Sequence, residues 1–413
     1  MIDVTAADEI ADDARARSNV ARLAAAQALT GANSAVIFAT GSIVGATLAP
    51  DLSLATVPLS MYVVGLAAGT LPTGAISRAY GRRVAFIIGT GCGMLTGLLG
   101  AYAILRGSFV LFCVATFLGG LYGAVSQSYR FAAADGASDA FRPRAISWVM
   151  AAGLASAILG PQMVKLSADA LAPVPFAGAY AAAALLNLAG AWVFAFLDSP
   201  APPPPAAGAP RIRSRRELLR TPRIAVAMIC AMVSYALMNL VMTSTPLAIV
   251  GCGFSTATAA DVVSWHVLAM FAPSFFTGSL VVRFGAERVI TAGLVVLAIA
   301  GAVGLSGVTL AHFSVALILL GLGWNFGFIG ATSMLTSAHT PEERGRVQGM
   351  NDFAVFGLVC LGSLASGGLM NCSGGDPVAG WGAVNLAMAP FLAAAGAALV
   401  WLALIGRPVT SAR

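Results

Sequence analysis

Residues 74–83 read GAISRAYGRR, and residues 278–288 read GSLVVRFGAER. Each opens on glycine, repeats glycine seven residues later and sets arginine near the second glycine. A second echo links RPRAI, residues 142–146, with RGRVQ, residues 344–348. Both pairs are separated by roughly 200 residues, about half the chain, which indicates a duplicated unit.

The unit that is duplicated is apolar. The 413 residues are 58% hydrophobic and only 10% charged, with a mean hydropathy of +0.86. Average soluble domains carry about 25% charged residues. A water-soluble core cannot hide this much apolar surface, so the surface itself faces lipid. Runs long enough to cross a bilayer as helices are predicted at 21–49, 55–79, 84–104, 108–131, 143–165, 174–197, 222–247, 257–282, 288–309, 311–337, 346–370 and 379–405. Strands of a membrane β-barrel are short and alternate apolar with polar residues, and these runs do neither.

Charge orients the spans. If they alternate, all 23 Lys and Arg except Arg106 and Lys165 lie on one side. By the positive-inside rule that side is the cytoplasm, and both termini lie there. The cluster Arg211, Arg213, Arg215 and Arg216 then belongs to topology, and no nucleic-acid partner is expected. Asp3, Asp8, Glu9, Asp12 and Asp13 exclude a signal peptide at the N-terminus. The stretch SPAPPPPAAGAPRIRSRRELLRTPR is stiff and then solvated, as a linker is. The expected organisation is a cytoplasmic tail (1–20), a six-helix bundle (21–197), a Pro-rich and basic linker (198–221), a second six-helix bundle (222–405) and a short tail (406–413). The fold class is all-α integral membrane, with twelve transmembrane helices in two pseudo-symmetric six-helix bundles.

With its one lysine, Lys165, the chain has no phosphate-binding G-x-x-x-x-G-K-[ST] loop. No nucleophile, metalloprotease or paired-carboxylate motif suggests an enzyme. None of the six cysteines forms a CxxC pair, and Cys252 and Cys372 fall near the outer face, where a disulfide is permitted. A secondary carrier or facilitator remains, and no permanently bound cofactor is expected.

Twelve spans in six-plus-six form, the central linker and GAISRAYGRR together resemble the major facilitator superfamily over the whole chain. The aspartate usual in that loop signature is here Arg78, so the closed state must be held by other groups. GLASAILGP, residues 153–161, resembles the glycine–proline motif of the family's antiporters. Arg82 and Arg83 in the signature, Arg130 at the inner end of the fourth span and Asp352 on the eleventh are candidate gating or polar residues. For Asp352 a gate or helix-packing contact is preferred over proton coupling.

The stretch from Tyr235 to Met270 carries Met238 and Met242, then His266 and Met270, each pair sharing a helix face. Span ends at 247 and 257 make Met238 level with His266, Met242 about 6 Å above and Met270 about 6 Å below. Pro246 and Pro273 each remove a backbone donor beside these groups. Thioether and imidazole favour soft monovalent copper, although methionine is also common core filler. MNLVM and HVLAM resemble the MxxxM and HxxxM motifs of CcoA-like copper importers, as do YRFAAAD (129–135) and the fifth-span run AISWVMAAGLASAILGP. That resemblance implies import of copper, as Cu(I), across the bacterial inner membrane for assembly of cbb3-type cytochrome c oxidase. Met238, Met242, His266 and Met270 would be ligands, with Cys230 and Cys252 accessory or redox groups. Copper would be the transported substrate, the bilayer the surroundings, and cytoplasmic copper chaperones or exporters the partners. The alternative is import of riboflavin or another small organic solute, for which Trp324 and Asn325 would matter more than the methionines.

Overall fold

Nothing in an apolar run of twenty residues can satisfy backbone N–H and C=O groups in lipid except the run's own helix or a closed barrel. The computed structural model describes residues 4–51, 54, 57–135, 137–198, 213–371 and 376–405. Among these it contains helices and no strands. In chain order they are α1 (Val4–Thr30), α2 (Ala32–Leu48), α3 (Val57–Leu105), α4 (Phe109–Gln127), α5 (Tyr129–Ala134), α6 (Arg142–Ser167), α7 (Ala177–Ala195) and α8 (Arg215–Leu219). Then follow α9 (Pro222–Gly251), α10 (Thr256–Phe271), α11 (Ser274–Phe284), α12 (Ala286–Ser306), α13 (Leu310–Thr336), α14 (Arg344–Asn371), α15 (Pro377–Leu386) and α16 (Met388–Ile405).

Ten helical segments among the described residues are long and apolar enough to cross a membrane. One of them, α3, has 49 residues and holds the second and third predicted spans. The eleventh span lies on α14, with 28 residues. Every predicted span therefore falls on helix, and the chain is an all-α, multi-pass membrane protein.

The sequence echo has a conformational counterpart. Within α3 the two spans meet at Gly81, with φ 86° and ψ 165°. Between α11 and α12 the chain turns at Gly285, with φ 86° and ψ 153°. Only glycine occupies this region without strain. The same hinge is thus built twice, at the second glycine of each repeat.

The chain folds as two compact units. The first holds α1–α7 and also residues 344–353 of α14; the second holds α8–α13, the rest of α14, α15 and α16. In the first unit, α1 was expected to be a polar tail as far as residue 20. It is helical from Val4. Ala16, Val20 and Leu23 recur along one stripe and are buried in a core with Phe86, Tyr129, Phe141, Val149 and Phe194. Burial of that stripe explains why the helix starts outside the predicted span.

Candidate functional site

The second unit builds its centre from α9, α10, α13 and α14. Tyr235 on α9 meets three rings edge-on: Trp324 at 5.5 Å and Phe328 at 5.0 Å on α13, and Phe356 at 5.3 Å on α14. Trp324 and Phe328 stack at 5.4 Å with planes 18° apart, and Phe271 of α10 approaches Trp324 at 5.9 Å. Edge-to-face and offset contacts of this kind suit the ring quadrupoles. Trp324 is 1% exposed, yet its indole N–H has no hydrogen-bond partner. One turn along α9 from Tyr235, the Nδ2 group of Asn239 is also buried and without a partner.

Asn325 does not share that freedom. Its Nδ2 donates to the Met270 carbonyl and to Ser274 Oγ, each at 2.6 Å, and its Oδ1 accepts from Thr277 Oγ1 at 2.6 Å. Pro273 separates α10 from α11 and brings no N–H of its own. Asn325 takes up the polar groups that this break leaves in an apolar setting. Its expected part in solute contact gives way to a structural one.

The hairpin of methionines and histidine lies against α13. His266 is fully buried, and its Nδ1 donates to the Leu317 carbonyl at 2.7 Å. A carbonyl only accepts, so Nδ1 carries the proton; Nε2 has no partner. Met238 and Met270 are buried, and Met242 is partly buried. The predicted levels shift by one turn. Pro246 sits inside α9, which continues to Gly251. Counted from the ends of α9 and α10, Met242 is level with His266 and Met238 with Met270, each to within about 2 Å. Cys230 is buried on α9, and Cys252 caps that helix with its N–H on the Ala248 carbonyl at 2.9 Å. Both cysteines carry free thiols. Cys372, the possible partner of Cys252, lies outside the described residues.

The first unit gathers the candidate gating charges. Arg130, 1% exposed, donates to Asp352 Oδ1 at 2.6 Å and to Gln127 Oε1 at 2.9 Å, and its guanidinium lies 4.5 Å from the Phe131 ring centroid. Asn351 Nδ2 adds a bond to the same carboxylate oxygen at 3.1 Å. Arg82 donates to Asp135 Oδ2 at 3.0 Å and to Gln348 Oε1, and Arg344 lies 3.0 Å from the same Asp135 oxygen. Arg83 is exposed. Asp135 is the carboxylate that pairs with Arg82 of the signature. It closes YRFAAAD and is far from the signature in sequence, so only folding brings it to Arg82.

A duplicated helical design with the same glycine hinge in each repeat fits a membrane transporter. The family model described as Major Facilitator Superfamily matches residues 23–263 and 227–413, and the chain belongs to that superfamily. It is 43% identical over 383 residues to the riboflavin transporter RfnT of Brucella anthropi, covering 92% of this chain and 95% of that protein. Among solved structures it is similar to the E. coli fucose:proton symporter FucP, with a TM-score of 0.68 and 15% identity over 92% of this chain and 98% of that one. The proton:xylose symporter XylE gives a TM-score of 0.71 and 15% identity over 93% and 96% of the two chains. These two share the fold.

The likeness to RfnT overturns the expectation of copper import. The short MxxxM and HxxxM matches are outweighed by identity along nearly the whole chain. Part of that hairpin has a physical role that needs no metal: His266 binds the α13 backbone, and Met238 and Met270 fill the core. The implied link to oxidase assembly falls with it.

Proposed function

We propose that this protein is a secondary transporter of riboflavin or a closely related small organic solute across the bacterial plasma membrane. The observation that carries the reading is the 43% identity to a riboflavin transporter over nearly the full length of both chains. The aromatic box of Tyr235, Trp324, Phe328 and Phe356 supports it, because flat aromatic solutes stack on such rings. The solute enters from the side bearing Arg106 and Lys165 and leaves on the arginine-rich side, where both termini lie. Alternating access moves it, and no resident cofactor is needed. Arg82, Arg130 and Asp352 hold the charge cluster of the first unit closed during part of the cycle and make no solute contact.

The test is growth and uptake in a riboflavin auxotroph that lacks its own importer. Expression of this chain is expected to restore growth on low riboflavin and to give saturable uptake of labelled riboflavin. Absence of uptake at verified membrane abundance would refute the reading.

A further inference from the structure

The box in the second unit combines flat apolar walls with two hydrogen-bond donors that have nothing to bond. Trp324 Nε1 and Asn239 Nδ2 are both buried and both without a partner. A buried donor left unmatched is costly, and these two flank one aromatic cluster, so a single ligand with acceptors along its edge would relieve both.

The two donors sit at one depth. α9 and α10 are joined by a short turn and run in opposite directions. α10 and α11 run parallel to α13, since His266 meets Leu317 while Thr277, further on, meets Asn325. So α9 and α13 are antiparallel. Ser234 on α9 faces Gly327 on α13, where an added Cβ would collide with the serine Oγ. From that register, Asn239 and Trp324 differ in height by only about 3 Å. Tyr235, one turn from Asn239 on the same helix, has its ring 5.5 Å from that of Trp324. Asn325, the neighbouring amide, is fully bonded and unavailable.

We infer that Trp324 Nε1 and Asn239 Nδ2 are specificity-determining donors that read the carbonyl and ring-nitrogen acceptors of a flat heteroaromatic imide, the isoalloxazine ring of a flavin, while Tyr235 and Phe328 cover its apolar surface. This rests on the riboflavin reading and deepens it: the ring, and not the sugar-like chain, is what this unit recognises. Apolar aromatics fill the box and leave both donors unmet. A ligand with acceptors along its edge satisfies them, and a site built to bond an acceptor rejects analogues that lack it.

The experiment uses the full-length protein and three single or double variants: Trp324→Phe, which keeps a stacking ring and removes the donor, Asn239→Leu, and both together. Riboflavin uptake is measured first in the wild type. Each single variant is expected to raise KM about tenfold with little change in maximal rate. Binding of lumiflavin, which keeps the isoalloxazine ring with its carbonyl and ring-nitrogen acceptors and carries a methyl group in place of the ribityl chain, is then followed by its shift of the thermal unfolding temperature of purified protein. The wild type is expected to be stabilised by lumiflavin, and the double variant not. Each shift is taken from that protein's own ligand-free temperature, because Trp324→Phe also shrinks a fully buried side chain. Wild-type uptake with unchanged KM in both variants overturns the inference and leaves the transport reading standing. No wild-type riboflavin uptake overturns the transport reading; a lumiflavin shift lost in the double variant then still upholds the ring site. A lumiflavin shift equal in all proteins, or absent from the wild type, overturns it.

Discussion

Single residues decide several features. Gly81 and Gly285 share a backbone conformation that costs other residues about 1–3 kcal/mol. Gly81→Ala and Gly285→Ala are each expected to lower stability by that amount, read as thermal unfolding of detergent-purified protein; unchanged unfolding would refute the equivalence of the two hinges. Glu343, between α13 and α14, is nearly fully buried and holds Arg213 through two bonds of 2.7 and 2.6 Å. The Arg213 bonds lower its carboxyl pKa from 4.5 to about 2. A carboxylate depressed in the folded state contributes stability that is complete above its unfolded value and is lost as pH falls through its folded value. Glu343→Gln is therefore expected to cost about 1–3 kcal/mol at neutral pH. The gap from wild type should narrow as the pH drops below 4.5 and close near 2. A gap that does not vary with pH would show that the carboxylate charge plays no part. Parts of this were legible in advance: the glycine echo set Gly81 and Gly285 at matching places in the repeat, while their shared conformation came from the structure. Glu343 was not, because an ion pair between positions 213 and 343 has no local signature.

Elements meet where side chains are absent. Gly321 on α13 lets the α10 backbone approach so closely that an added Cβ would lie 2.7 Å from the His266 carbonyl and 3.0 Å from the Met270 nitrogen. Backbone atoms in packed helices cannot yield cheaply. Gly321→Ala is expected to cost about 1–3 kcal/mol and to loosen the His266–Leu317 bond. Gly382, inside α15 with open space around it, is the control. Its change to alanine should be neutral or stabilise by about 0.5–1 kcal/mol. Equal effects at both sites would mean that the approach at Gly321 is not tight. At this scale the sequence announced the helices but not their ends. Pro246 stands inside α9 because nothing obliges a proline to end a helix when the neighbouring packing holds it, as Thr243 and Ser244 do through Ser366. The extra turn carried Met238 away from the level of His266. The metal ladder depended on that level, which only the helix length could set.

For the whole molecule, the charge bias predicts sidedness. In a cysteine-free background, Arg106→Cys should react with a membrane-impermeant thiol reagent from outside intact cells, and Arg220→Cys only after permeabilisation; both positions are exposed. The reverse pattern would invert the topology. Composition and period determined the membrane, the twelve spans and the duplicated design, because lipid demands helices of a fixed length and duplication leaves its trace in order along the chain. Tertiary structure alone decided which buried groups bond and which do not. Asn325 is saturated while Trp324 and Asn239 keep free donors, and Asp135 meets Arg82 and Arg344. Those outcomes depend on which helix faces come to lie against one another, a relation between residues scores of positions apart that no local pattern encodes.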